Sequence, residues 1–172
     1  MFNALADLTG YRYYQLATPD PDPGDVILNV PVYRQAETFS CGFVAALMVV
    51  HCFYPRRSPS RLYNLVDPSI QWGTSTSRFI NALRASSIGV RKLHKPKFED
   101  VKRSIYDGYP VVTSVRRKGI EHWIVVIGVR RGGKLVLAGD SWHGVAEVGW
   151  STFSRRMIGA EQLCLVCWGK GP

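Results

Sequence analysis

The hydrophobic pattern changes period near residue 110, and that change limits the fold more than any other feature of the chain. Before it, apolar residues recur at helical spacing. Ser40 can cap an apolar helix over about Gly42–Phe53 that Tyr54-Pro55 ends. "SPSRLYNLV" has Ser58 at an N-cap with Pro59 in the first turn, "TSTSRFINALRASSIG" carries Phe79, Ile80 and Leu83 and stops at Gly89, and "KFEDVKRSIYDG" carries Phe98, Val101 and Ile105 and stops at Gly108. After it, "PVVTSVRR", "HWIVVIGVRR", "KLVLAGD" and "EQLCLVCW" are rich in β-branched residues, with Gly132-Gly133 as a hairpin turn. An earlier strand, "VILNVPVY", follows an extended lead-in segment over residues 1–25 that ends in "TPDPDPGD". A helical block followed by an antiparallel sheet predicts an α+β fold with a cleft between the two.

With 172 residues the chain is expected to form one domain over 1–172, burying about two thirds of its unfolded surface without disulfide or metal staples. Its longest apolar run is too short to span a bilayer, and residues 1–15 lack a basic start followed by an apolar run. The expected location is the cytoplasm, or outside the cell by a leaderless route, with no membrane insertion. Four cysteines do not make a disulfide framework in a chain this long. Twenty-two Lys and Arg against thirteen Asp and Glu give a formal charge of +9, which favours acidic protein or peptide partners and keeps nucleic acid as a less favoured one. The basic residues come as scattered pairs, among them Arg116-Arg117 and Arg130-Arg131, and read as a solvated surface.

The chemistry concentrates in "QAETFSCGFVAALMV". Cys41 falls at a helix N-terminus, where unpaired N–H groups and the dipole favour thiolate, and Gly42 lets the backbone come close to a substrate groove. Gln35, six residues earlier, can direct an amide N–H toward the place served by the Cys41 N–H, and two such donors make an oxyanion hole. A thiolate also needs a base, and His122 opens the strongest strand. In a hairpin turning near 131–133, position 122 pairs near 142, which brings Asp140 beside the imidazole. Cys164 and Cys167, at an odd separation within a strand, point to opposite faces and suit packing rather than metal or redox chemistry.

In this order the residues resemble the papain-like cysteine peptidases, and within them the peptidases that remove double-glycine leaders from bacteriocins, together with free-standing bacterial relatives. The resemblance implies Cys41 as nucleophile, His122 as general base, Asp140 as the residue orienting it and Gln35 as oxyanion donor. "DSWHG" is similar to papain's Asn-Ser-Trp-Gly, which implies that Trp142 shields the bond between His122 and residue 140. Gly42, Trp123 and Trp142 are then expected to line the substrate groove. Ser40 and Ser141 stand where leader peptidases often carry Asp and Pro.

The expectation is a cysteine peptidase acting through an acyl-thioester on Cys41, with no cofactor and no metal. Because an imidazolium already carries both protons, its orienting partner need only accept a hydrogen bond, so an amide at 140 should serve nearly as well. Acyl transfer, transglutaminase-like chemistry or deamidation at the same site is one alternative. A basic binding module on the same scaffold is the other.

Overall fold

A computed structural model describes residues 5–6, 11–13, 22–117, 119–130, 134–159 and 162–171. Helix α1, Cys41–Phe53, buries nine consecutive or near-consecutive positions from Cys41 to Val50. A helix apolar on nearly every side must be central, and α1 is enclosed by sheet and by two amphipathic helices, α2 (Pro59–Val66) and α3 (Thr76–Ala85). Ser58 and Ser75 cap these two, each accepting from the N–H three residues on.

Among the described residues nine antiparallel strands form one sheet: β1 (Leu5–Ala6), β2 (Tyr11–Tyr13), β3 (Val26–Ile27), β4 (Ile88–Leu93), β5 (Val111–Arg117), β6 (Ile120–Arg130), β7 (Leu135–Asp140), β8 (Gly144–Gly149) and β9 (Cys164–Gly169). The order is β1-β2-β8-β7-β6-β5-β9-β4, with β3 beside β6. Alternation assigns the two faces. Trp123, Val125, Leu137, Leu165 and Cys167 pack with α1, α2 and α3. Val111, Val115, Ile124, Ala138 and Cys164 pack with α4 (Phe98–Tyr106) and α5 (Trp150–Arg156). Cys164 and Cys167 therefore lie on opposite faces, as their spacing requires. The helices are thus divided between the faces, with α1 to α3 opposite α4 and α5.

The elements depart from the sequence expectation in several places. Only Val26–Ile27 of "VILNVPVY" is strand. The ladder between β5 and β6 ends at Val111↔Val126, so β6 offers a free edge only beyond that point, and β3 takes it opposite Gly128 and Val129. Helix α3 stops before Gly89, with Ser87 in the left-handed region at φ 66°. Gly89 instead sits within β4, where a Cβ would collide with the indole of Trp168 on β9. Strands β4 and β8 and helix α5 had no assignment in the sequence reading. The lead-in over 1–25 falls largely outside the described residues, although Leu5–Ala6 and Tyr11–Tyr13 extend the sheet. Gly132-Gly133 also falls outside them.

Candidate active site

Helix α1 begins at Cys41, and its N-cap residue Ser40 makes no side-chain cap. The Ser40 hydroxyl donates back to the Glu37 carbonyl instead, at 3.0 Å. The first-turn N–H groups are consequently left without an acceptor from Ser40, and the positive end of the helix falls at the thiol. Gly42 is buried, and what approaches it is Thr74: a Cβ at 42 would lie 2.5 Å from the Thr74 Cβ. The close approach that glycine permits is therefore to the segment leading into α3. That segment is also held by Trp123, whose Nε1–H donates to the Thr74 carbonyl at 3.1 Å and whose ring stacks on Phe79 at 4.5 Å.

Arg117 ends β5, His122 is the third residue of β6 and Asp140 ends β7, so three neighbouring antiparallel strands deliver these side chains to one end of the sheet. Ile124 pairs with Asp140, which continues to the expected 122-to-142 register; a bulge between Val126 and Gly128 shifts pairing only on the turn side. His122 Nε2 lies 2.9 Å from Asp140 Oδ1, with the imidazole wholly buried. Trp142 stacks on the His122 ring at 4.1 Å, covering this bond, and its backbone N–H donates to Asp140 Oδ1 at 2.8 Å.

His122 Nδ1 is buried and has no other hydrogen-bond partner, which leaves it for the Cys41 thiol. Burial raises the Cys41 pKa, but the His122 hydrogen bond, the Trp123 backbone, the imidazolium charge and the Gly42 backbone outweigh it and hold the thiol below its ordinary value. Burial opposes the imidazolium, yet Asp140 and then Cys41 raise His122 above its ordinary value. Asp140 is held low despite its burial, by His122, the Trp142 N–H and Arg117. The thiol and the imidazole thus shift toward each other's charged form, the condition for a thiolate–imidazolium pair. The other cysteines go the opposite way: burial raises Cys52 and Cys167 and pushes Cys164 up to about 12.

Gln35, in the loop before α1, is tied to Ser141, the residue after Asp140. Its N–H donates to the Ser141 carbonyl at 3.0 Å and its Oε1 accepts from the Ser141 hydroxyl at 2.5 Å. Those bonds fix the amide's orientation, with Nε2 directed away from Ser141 and one of its hydrogens on the Glu37 carbonyl. A groove of about 210 Å³ is lined by Trp123 and Leu165 together with Trp72, Ser114, Glu121 and Thr74, the residue packed against Gly42. Trp72 is 80% exposed at its mouth. Among the described residues no cluster of His, Cys, Asp and Glu could hold a metal ion, and no helix is long and apolar enough to cross a membrane.

Two residues that hold the site were missed in the sequence. Ser141 fastens Gln35, although only its departure from the expected proline was visible. Arg117 is a correction: taken as solvated surface, it is 5% exposed, and its Nη1 lies 2.6 Å from Asp140 Oδ2. The signal available was alternation, since Val111, Thr113, Val115 and Arg117 share a face and the first three are buried.

A thiol at the start of a buried helix, a buried imidazole beside it and an α+β arrangement with both faces of the sheet covered define a papain-like cysteine peptidase. Residues 27–161 match the Peptidase C39-like family, and the chain belongs to it. Among solved structures, the chain is similar to a double-glycine-motif protease from an AMS/PCAT transporter in complex with the leader peptide, at 17% identity and TM-score 0.66, covering 84% of this chain and 95% of that one. A C39-like peptidase from Bacillus anthracis gives 15% identity and TM-score 0.66 over 86% of this chain and 99% of that one. The peptidase domain of Streptococcus ComA, a bi-functional ABC transporter of a quorum-sensing pathway, gives 18% identity and TM-score 0.64 over 81% and 98%. These likenesses establish the shared fold. No curated protein sequence matches the chain.

Proposed function

We propose that residues 1–172 form one peptidase domain that cleaves a peptide bond with Cys41 as nucleophile, His122 as general base and acid, Asp140 as the residue orienting the imidazole, and Gln35 as oxyanion donor. The observation that carries the reading is His122 itself, with Nε2 committed to Asp140 at 2.9 Å and Nδ1 left for the thiol. The thiolate attacks the scissile carbonyl carbon. As the C–S bond forms, the carbonyl electrons move to oxygen, beside the Cys41 N–H and the Gln35 amide. Collapse of this intermediate breaks the C–N bond, and His122 gives its proton to the departing amine. Water, deprotonated by the now neutral imidazole, then attacks the thioester, and the cycle closes with the acid product and free thiolate.

The substrate is a peptide or protein segment laid across the groove. A side chain next to the scissile bond rests against the edge of Trp123, and Trp72 contacts the neighbouring stretch. The relative solved with a leader peptide supports a peptide substrate for this fold. The +9 charge favours an acidic one.

Acyl transfer and deamidation share every step up to the thioester and differ in what resolves it. Incubation with a mixed peptide library in ¹⁸O-water separates them by mass spectrometry. Hydrolysis gives shortened peptides carrying one ¹⁸O at the new carboxyl terminus, absent with Cys41→Ala. Intact peptides with a Gln converted to Glu, or peptides joined to an added amine, would instead establish one of the alternatives.

A further inference from the structure

Arg117 has no part in the reaction just described, yet it is buried as deeply as the groups that do. Its side chain is 5% exposed and that of Asp140 is 3% exposed. A guanidinium keeps its charge at any working pH, and taking it out of water is costly unless its partner is well placed. β5 could end in an apolar residue here, as Val111 and Val115 on the same face are packed in the core. Instead the cation is aimed at the one carboxylate that touches His122.

The contacts divide between the two oxygens. Oδ2 receives Arg117 Nη1 at 2.6 Å, while Oδ1 receives His122 Nε2 at 2.9 Å and the Trp142 N–H at 2.8 Å. Three donors on two oxygens leave the carboxylate no freedom to turn about its own bond. We propose that Arg117 is a positioning residue of the peptidase, clamping Oδ2 so that Oδ1 aims His122 at Cys41, and balancing the Asp140 charge when the thiolate–imidazolium pair forms. This rests on the roles given above to Cys41, His122 and Asp140.

The charge balance has a consequence that a packing role lacks. Thiolate, imidazolium, carboxylate and guanidinium sum to zero. Among the described residues, the charged and titratable groups set against Asp140 include Arg117 from β5, His122 from β6 and His143 from the turn after β7, with Cys41 of α1 on the far side of His122 and Arg34 held on the Trp142 carbonyl at 2.9 Å. Removing Arg117 leaves the buried set at −1, which takes up a proton more readily. Removing the Asp140 charge leaves +1, which gives one up more readily. It also strands a guanidinium, so the expectation that an amide at 140 serves nearly as well holds only if the cation is removed too.

The test is the pH profile of Cys41 alkylation by iodoacetamide, with thermal unfolding measured in parallel. Arg117→Met should move the profile up by about one pH unit and Asp140→Asn down by about one unit. The double variant should return to within a few tenths of wild type, and Arg117→Lys, which keeps the charge, should sit there too. Should Arg117→Met fail to fold, Asp140→Asn against the double variant carries the same comparison. Singles that shift in one direction, or not at all, or a double variant that stays displaced, would overturn the role of Arg117. Wild-type protein in which Cys41 has no preference over the other thiols would instead overturn the peptidase reading beneath it.

Discussion

Strand β6 carries a buried charge cluster at each end, and the two are built for different purposes. At the His122 end the cluster joins an imidazole whose pKa is raised to a thiol whose pKa is lowered, with one ring nitrogen left open toward that thiol. At the other end Arg130 is surrounded by acceptors: Nε lies 2.5 Å from Glu147 Oε2, and Nη1 lies 2.6 Å from Asp25 Oδ2 and 3.2 Å from Asp22 Oδ2. Burial opposes the Arg130 charge, but Glu147 and Asp25 outweigh it and raise its pKa further. That cluster ties the segment leading into β3 to β6 and β8, and the proposed reaction routes no proton through it. The same strand thus holds one cluster with an imidazole open toward a thiol and one centred on a guanidinium held among carboxylates.

The widest separation of the two ends should come from their central residues. His122→Ala should abolish turnover and slow Cys41 alkylation at pH 6.5 by about a hundredfold, because the thiol then returns toward its ordinary pKa. Arg130→Met should leave that alkylation rate unchanged. If both variants slowed Cys41 alike, the clusters would not be functionally distinct.

Next in size is Gln35→Ala, which should cut peptide turnover by about two to three orders of magnitude through loss of one oxyanion donor. Alkylation forms no oxyanion and should hold its wild-type rate. A parallel fall in both would make Gln35 a support for the loop that Ser141 fastens, and nothing more.

The structural end should answer in stability. Arg130→Met leaves the carboxylates of Asp25 and Glu147 buried beside an apolar side chain and should cost about 3 kcal/mol, read from urea unfolding. The pH profile of Cys41 should not move; a shift there would couple the two ends. The smallest expected effect is Trp142→Ala, which removes a ring stacked on His122 at 4.1 Å and should lower turnover by about tenfold as water reaches the bond to Asp140.

What the sequence made legible follows from range. Helices α1 to α4 and strands β5, β6, β7 and β9 are set by local periodicity, and each has the expected place. Cys41, His122 and Asp140 could be singled out because each lies at or near the end of an element beside a recognisable apolar run, whereas Gln35 lies in the loop before α1 and was singled out by its spacing from Cys41. Arg117 and Arg130 were misread because a pair of basic residues at a strand end looks solvated until its cross-strand neighbours are known. Gly89 looked like a helix stop because nothing local announces that Trp168, far along the chain, lies over it. β3 is short because of where β5 ends, which no property of "VILNVPVY" records.

The central claim is that one thiol of four is prepared for attack, and limiting iodoacetamide between pH 5 and 9, followed by peptide mass spectrometry, tests it most directly. The lowered Cys41 pKa and raised His122 pKa define a window below the ordinary thiol value in which the ion pair exists. Labelling should begin at Cys41 as pH rises into that window, with Cys52, Cys164 and Cys167 silent there because burial holds their thiols protonated. Labelling of Cys41 that rises only near pH 9, or half-buried Cys52 reacting first, would contradict the account.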